Sequence, residues 1–402
     1  MKALRLIAAV LLATAALQCD AQEQPITQTD DIRISLLTCS PYEAIYALYG
    51  HTAIRIEDPA EGIDMVVNYG VFSFDKPHFV LRFVFGLTDY EMGIESFDHL
   101  LSKYSHYRCS IIQQELDLSA EEKELILTAM AINYLPDNRV YRYNCFYDNC
   151  TTRARDIIAS NLRGHIDYDK GPDFAGPSLR DIVHSCNNHR PWVRFGKDLL
   201  MGVAADRPTT LTEYQFLPAN LMSDFDGAYV IGDDGTVRRL VKDKTTVLQA
   251  GLQQKETEFP LRPVACAAII LALSLALTVT ERITRHPAAT TVAIVFDALM
   301  MTACGLVGIV LFAMLFSQHP TVRVNLQLLL LNPLPLLLVY NMVKHSHRGQ
   351  QHWQHYLWSA LIILFLLGNF QQSYAEGINL LALALLIRQA ARLPLSLTTH
   401  KP

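Results

Sequence analysis

The 402-residue sequence lacks internal repeats and low-complexity tracts, and its net charge is a mild −5. Because the chain is not strongly basic, its composition gives no sign of nucleic-acid binding, and we expect no nucleic-acid partner. A metal site is not indicated either, since Cys145 and Cys150 are poorly spaced for zinc and no histidine-rich motif follows them. We therefore expect a protein without a metal or other cofactor. The length of the chain is enough for two domains of ordinary size.

Charged residues are scarce in the C-terminal part of the chain. Residues 22 to about 260 carry charges throughout, as an ordinary soluble protein does, whereas long apolar runs dominate from Pro263 onward. Five runs are each roughly long enough to cross a bilayer, and they span residues 263–280, 292–316, 322–343, 356–370 and 377–391. We predict an all-α membrane domain of about five transmembrane helices at residues 263–395, followed by a cytoplasmic tail at residues 396–402.

The first 21 residues have the pattern of a secretion signal. Lys2 and Arg5 form a basic start, residues 6–17 form an apolar run, and a small-residue cleavage site ends at Ala21. Cleavage after Ala21 is one interpretation, and lipidation of Cys19 is the other. In both cases the domain that follows is exported.

Basic residues in the predicted loops indicate how the chain crosses the membrane, because cytoplasmic loops carry an excess of lysine and arginine. With the N-terminal domain outside, the predicted cytoplasmic segments contain Arg282, Arg285, Lys344, Arg348, Arg388, Arg392 and Lys401. The predicted outer loops contain Arg323 alone. We therefore predict a multi-pass protein of the bacterial inner membrane, with its exported domain in the periplasm.

A cysteine lies where a helix is predicted to begin. The apolar pattern predicts a helix over residues 151–162, and Asn149 or Asp148 is a suitable N-cap. A thiol at a helix N-terminus meets backbone N–H groups and the positive end of the helix dipole, which favour the thiolate. The same N–H groups stabilise the oxyanion that forms when sulfur attacks a carbonyl. Cys150 is therefore a candidate nucleophile.

A histidine in a strand is the candidate proton acceptor for this thiol. His51 follows a glycine at the start of a predicted strand, and a turn at residues 58–62 separates that strand from the next one, at residues 65–69. Antiparallel pairing across the turn places His51 opposite Asn68 or Tyr69. Asn68 would then orient the imidazole, as asparagine does in Cys-His-Asn sites.

Short motifs around these residues resemble the Lnb N-terminal periplasmic domain, which belongs to the Lnb family of Bacteroidota. The matching motifs occupy residues 50–55, 68–70, 149–153, 195–198 and 216–218, with Asn325, Asn332 and Pro333 in the membrane part. The resemblance covers most of the chain. It implies an α+β domain of the permuted NlpC/P60 (papain-like) type, in which a strand histidine precedes a helix-start cysteine. We assign this domain to residues 22–225, and a hairpin with a polar linker to residues 226–262.

The resemblance implies a thiol-dependent lipoprotein N-acyltransferase that uses Cys150 and His51. A phospholipid would donate the acyl chain, which would pass through a thioester on Cys150 to the α-amino group of a diacylglyceryl-cysteine lipoprotein. The third catalytic residue is not fixed by the resemblance, because the superfamily uses histidine, asparagine, aspartate or glutamine there. The strand pairing favours Asn68. Since both substrates lie in the membrane, attached helices would raise their effective concentration.

Other interpretations stay open at this point. The same fold could serve a thiol hydrolase, either a lipid esterase or a cell-wall peptidase, and a non-catalytic membrane assembly protein is the third class. After signal removal the exported domain keeps an odd number of cysteines, so at least one lacks an intramolecular partner; they are Cys39, Cys109, Cys145, Cys150 and Cys186. A disulfide at Cys150 would remove the nucleophile, and Cys145 is the second candidate for that role.

Polar and aromatic residues elsewhere carry further hypotheses. Asp297, inside the second apolar run, is either functional or part of a helix-packing hydrogen bond. His319 and Asn325 are predicted near the outer membrane surface, where they suit substrate binding or the capping of a loop. The aromatic-rich region at residues 69–90 has three interpretations: part of the core, an acyl-chain groove, or a membrane-dipping loop. We favour the core.

Overall fold

The computed structural model describes residues 31–73, 77–171, 173–252, 257–348 and 353–392. The predicted signal sequence with Cys19 and the predicted cytoplasmic tail lie outside these residues. The chain divides into two compact units. We call them the sheet unit (Met1–Phe79, Leu87–Pro177 and Pro208–Glu256) and the helical unit (Val80–Gly86, Ser178–Arg207 and Thr257–Pro402).

The strands and helices alternate irregularly along the N-terminal 250 residues. The strands are β1 (Arg33–Cys39), β2 (His51–Asp58), β3 (Ile63–Val71), β4 (Asp89–Ser96), β5 (Ile111–Leu116), β6 (Val140–Arg142), β7 (His165–Asp167), β8 (Gly176–Ser178), β9 (Pro208–Thr209), β10 (Tyr229–Ile231), β11 (Val237–Arg239) and β12 (Val241–Leu248). The helices are α1 (Phe79–Val84), α2 (Phe97–His106), α3 (Ala120–Tyr134), α4 (Cys150–Ala159), α5 (Leu179–Cys186), α6 (Pro191–Leu200), α7 (Leu211–Tyr214) and α8 (Pro218–Gly227).

A seven-stranded sheet in the order β12-β5-β1-β2-β3-β4-β6 forms the centre of the sheet unit, and its pairings are antiparallel. Helix α4 packs against the middle of this sheet, at β2 and β3. Its apolar face, with Ala154 and Ile158, joins a core that includes Ile54 and Val67 from these strands. The helix begins one residue before the predicted start and ends at Ala159 rather than near residue 162.

The register between β2 and β3 differs from the prediction. Asn68 lies opposite Ala53, not opposite His51. Side chains alternate between the two faces of a strand, so Ala53 and His51 point to the same face. Asn68 and His51 are therefore diagonal neighbours on one face of the sheet, which still lets their side chains meet.

The segment after the predicted hairpin is not only a linker. Strands β10 and β11 form the expected hairpin around residues 233–235. The next residues form β12, which pairs with β5 at the edge of the main sheet. Its residues Lys242, Asp243 and Lys244 are exposed, which is common on edge strands and explains why the segment resembled a polar linker.

The aromatic-rich region divides between two environments. Tyr69 and Tyr90 are buried in the core of the sheet unit, and Phe72 packs against that core. The favoured core interpretation is confirmed for these three residues. Helix α1 is different, because none of its residues is buried.

Each of the five predicted apolar runs contains a helix of the helical unit: α9 (Pro263–Thr284), α10 (Pro287–Met314), α11 (Leu334–His347), α12 (Trp353–Leu367) and α13 (Ile378–Arg392). Among the described residues, 3 helical segments are long and apolar enough to cross a membrane: Pro263–Thr284, Pro287–Met314 and Leu326–His347. The third begins with a short 3₁₀ turn at Leu326–Leu329 and breaks before α11. Helices α12 and α13 have 15 residues each, which is short for a span.

A buried ion cluster explains Asp297. Its carboxylate accepts hydrogen bonds from Arg388 Nε at 2.7 Å and from Arg392 Nη2 at 2.8 Å. Glu281 accepts from the same two arginines, at 2.8 Å and 2.9 Å. Two acids and two bases thus neutralise one another where α9, α10 and α13 meet, and the helix-packing interpretation of Asp297 holds.

Residues 178–207 belong to the helical unit and are tied to its interhelical loops by buried polar contacts. Asn325 Nδ2 donates to the carbonyl of Leu199 at 2.7 Å, and Gln372 Nε2 donates to the carbonyl of Met201 at 3.1 Å. Asn325 also accepts from the backbone N–H of Gln327 at 3.1 Å. The loop-capping role of Asn325 is thereby confirmed.

Gly50, just before β2, is required by its surroundings. It has φ +80°, and a Cβ there would lie 2.6 Å from the carbonyl oxygen of Cys39. Gly62 has a similar φ of +63° but no atom within 4 Å of such a Cβ. We expect Gly62→Ala to lower the free energy of unfolding by roughly 1–2 kcal/mol, because of the left-handed backbone alone. Gly50→Ala should lower it by about 1–3 kcal/mol more, because of the clash.

The thermal midpoints of the two purified full-length variants measure this difference. Equal midpoints for Gly50→Ala and Gly62→Ala would show that the approach of Cys39 does not constrain residue 50.

Candidate active site

The N-cap of α4 fixes the position of Cys150. Asn149 Oδ1 accepts hydrogen bonds from the backbone N–H groups of Thr151 at 2.8 Å and Thr152 at 2.9 Å. The hydroxyl of Thr152 accepts in turn from the backbone N–H of Asn149 at 2.9 Å. Asn149 is therefore the N-cap, and Cys150 is the first residue of the helix, where the dipole favours a thiolate.

The amide nitrogen of the same Asn149 side chain extends this support. It donates to the carbonyl of Cys145 at 2.8 Å and to the carbonyl of Phe216 at 3.0 Å. One buried side chain thus joins the helix start, the loop before it and the segment before α8. Asp148, the other predicted cap, instead forms an ion pair with Arg153 at 2.6 Å.

His51, Asn68 and Cys150 come together at one end of β2 and β3. His51 Nε2 lies 2.8 Å from Asn68 Oδ1, so the imidazole N–H donates to the amide oxygen. The His51 ring and the Cys150 thiol are close enough for each to shift the pKa of the other, through its charge and through hydrogen bonding. Because Nε2 is engaged with Asn68, Nδ1 is the nitrogen that remains for the thiol. The structure therefore unites the three residues that the sequence predicted for one site.

The electrostatics of the pair favour charge separation. Burial raises the pKa of Cys150 and lowers that of His51, because each charged form loses hydration. The charge of the partner and the hydrogen bond between them outweigh burial in both cases. The pKa of Cys150 is therefore lowered, and the pKa of His51 is raised. A thiolate–imidazolium pair is the favoured state near neutral pH.

Two family models match the chain. The Lnb N-terminal periplasmic domain matches residues 20–184, and the Lnb transmembrane domain, labelled 5TMH, matches residues 254–400. The chain belongs to the Lnb family. No curated protein and no solved structure matches it. As in the family description, it is a membrane protein with a periplasmic N-terminal domain of α+β fold and a helical membrane domain.

Within this Lnb chain, Glu95 is a site residue that the sequence did not reveal. Its carboxylate accepts from Asn68 Nδ2 at 3.0 Å and from Lys103 Nζ at 2.7 Å. Because Glu95 takes the amide nitrogen, the amide oxygen of Asn68 faces His51. Burial raises the pKa of Glu95, but Lys103 and His99 outweigh it and the pKa is lowered. The carboxylate is therefore ionised and holds Asn68 in one orientation.

Gly70 lies close to both Cys150 and Tyr141. A Cβ on Gly70 would be 3.8 Å from Cys150 Cβ and 3.8 Å from the Tyr141 hydroxyl. That hydroxyl is buried and has no hydrogen-bond partner among the described residues. An unpartnered buried donor is costly in a resting protein, so Tyr141 is a candidate for binding a substrate oxygen. No spacing in the sequence links Tyr141 to His51.

Cysteine pairing bears on the alternatives. Cys150 carries a free thiol in the structure, which removes the objection that a disulfide blocks it.

Among the described residues, no group of three or more histidine, cysteine, aspartate or glutamate side chains could hold a metal ion. The arrangement is suited to nucleophilic catalysis by sulfur.

Alkylation of Cys150 by iodoacetamide should persist to lower pH than alkylation of an ordinary thiol, because its pKa is lowered. Cys186 is the internal control, since burial raises its pKa. His51→Ala should move the midpoint of Cys150 upward, because the partner charge is lost while burial remains. Mass spectrometry of the two peptides across a pH series gives both midpoints. An unchanged Cys150 midpoint in His51→Ala would contradict the ion pair.

Proposed function

We propose that this Lnb-family protein is a lipoprotein N-acyltransferase with Cys150 as nucleophile, His51 as acid–base residue and Asn68 as the orienting residue. The main support is the contact of a helix-start thiol with an imidazole that an amide holds in place. Acyl transfer through a thiol needs these parts. The order of the strand histidine before the helix-start cysteine also supports a permuted NlpC/P60 (papain-like) domain.

The first half-reaction forms a thioester. The Cys150 thiolate attacks an ester carbonyl of a phospholipid, and a carbon–sulfur bond forms as the carbon–oxygen bond breaks. The His51 imidazolium gives its proton to the departing oxygen, which leaves as the hydroxyl of a lysophospholipid. The backbone N–H of Cys150 and the hydroxyl of Tyr141 are the candidate donors to the oxyanion.

The second half-reaction moves the acyl chain to nitrogen. The α-amino group of a diacylglyceryl-cysteine attacks the thioester, and neutral His51 accepts a proton from that amine. The carbon–sulfur bond breaks, so that an amide forms and the thiolate–imidazolium pair returns. An amine attacks a thioester readily, which favours a cysteine over a serine in this role.

The membrane domain supports lipid substrates over soluble ones. A phospholipid and a lipoprotein anchor are both confined to the bilayer, and an enzyme attached there meets them at a raised effective concentration. A peptidase that cleaves soluble cell-wall peptides would not need such an anchor. The bacterial inner membrane is the compartment where a periplasmic domain would meet both substrates.

A thiol hydrolase acting on lipid esters is the second candidate. It would use the same thioester, with water rather than an amine as the acceptor. The protein reconstituted with phospholipid and a diacylated lipopeptide separates the two, because the transferase yields an N-acylated peptide and the esterase yields free fatty acid.

Cys150→Ser should abolish N-acylation at unchanged protein abundance, because a serine hydroxyl stays protonated beside His51. Cys186→Ser is the matched control and should keep the wild-type product. The measurement is mass spectrometry of lipoprotein N-terminal peptides from cells that depend on this protein for N-acylation. Triacylated peptides in the Cys150→Ser cells would reject the proposal and leave a non-catalytic role.

Asn68→Ala should slow acyl transfer, by less than the roughly 10²–10⁴-fold that a general base contributes. It should also lower the pKa of His51, because the Asn68 hydrogen bond helps to raise it. Glu95→Gln keeps a hydrogen-bond acceptor for Asn68, so it should slow acyl transfer less than Asn68→Ala does. The pH profile of the rate tests both variants. A wild-type rate and profile for Asn68→Ala would remove it from the site.

A further inference from the structure

Helix α1 connects two strands of the sheet in sequence, yet residues 80–86 belong to the helical unit. The carbonyl of Phe85 accepts a hydrogen bond from the backbone N–H of Gln318 at 3.0 Å. At Gly86, with φ +69°, a Cβ would lie 3.1 Å from the backbone nitrogens of Gln318 and His319. The end of α1 is therefore held tightly against the loop that follows α10.

A second contact fixes α1 on the same loop. The centroids of the Phe83 and His319 rings lie 5.9 Å apart, and the Phe83 backbone is close enough to affect the pKa of His319 as a hydrogen-bonding group. Burial lowers the pKa of His319, so its imidazole is neutral at neutral pH. This loop cap is one of the two roles predicted for His319.

Three apolar side chains of α1 are exposed. Val80 is 75% exposed, Leu81 is 58% exposed and Phe83 is 44% exposed. Three large apolar residues on a six-residue helix would be costly in water. Phe312 and Phe316, at the end of α10 just before the loop, are exposed as well.

The position in the chain indicates which solvent covers these side chains. The loop after α10 holds only Arg323 as a basic residue, as expected of an outer loop. The family places the N-terminal domain, in which α1 lies, in the periplasm. Helix α1 is thus attached to the loop at the periplasmic end of a predicted membrane span.

We propose that Val80, Leu81 and Phe83 insert into the periplasmic leaflet of the bilayer, with lipid acyl chains as their partner. An apolar helix face at the membrane interface is stabilised by this burial. The insertion would hold the β3–β4 connection at the lipid surface. It does not depend on the reaction at Cys150 and would stand if that reaction were a different one.

A photo-reactive amino acid at position 81 of the full-length protein tests this in native membranes. Irradiation should give phospholipid adducts on the α1 peptide, detected by mass spectrometry. Leu337, 74% exposed on α11, serves as the positive control, and Val237, 64% exposed on the β10–β11 hairpin, serves as the matched control. Position 80 gives a second test if the variant at Leu81 does not accumulate.

A lipid yield at position 81 that is several-fold above that at position 237 supports insertion. A yield no higher than that at position 237 overturns it. Adducts at position 81 that join a second protein instead of lipid also overturn it, because another chain would then cover the face.

Discussion

The contact between the Cys150 thiol and the His51 imidazole is the interaction on which the candidate site depends. Burial alone would leave the thiol protonated and the imidazole neutral, and neither would then react. The interaction between the two groups reverses both effects of burial: it lowers the pKa of Cys150 and raises the pKa of His51. Because a short-range interaction must outweigh burial, the surrounding structure has to hold both groups in place. The Asn149 cap does this for the sulfur, and the Asn68–Glu95 hydrogen bonds do it for the ring.

The register of the strand pairs determines which side chains of the sheet unit can hold His51 and Cys150 in place. Asn68 pairs with Gly93 across β3 and β4, which brings Glu95 to the same face two residues away. Gly50 lets β2 begin against the carbonyl of Cys39, and Gly70 supplies the positive φ of +83° that β3 adopts near Cys150. A slip of one residue in either pairing would turn His51 or Asn68 to the opposite face and separate the pair.

The helical unit follows a different rule, because lipid cannot satisfy polar groups. Arg388 is only 2% exposed and is neutralised by Asp297 and Glu281. Asn325 and Gln372 satisfy backbone carbonyls of residues 178–207 and one another. These internal contacts leave apolar side chains as the main outer surface of the spans, and the exposed face of α1 has the same chemistry.

Sequence alone determined the parts that rest on local chemistry. The cap and helix around Cys150, the strand that carries His51, the core role of the aromatic residues near Tyr69 and the five apolar runs all follow from patterns within a few residues. Tertiary structure decided what depends on distant pairing: the diagonal placement of Asn68, the contact with Glu95, the edge strand at residues 241–248, and the partners of Asp297. The physical reason is that propensity and periodicity act over one or two turns, whereas register and buried charge pairing are settled only when separate segments pack together.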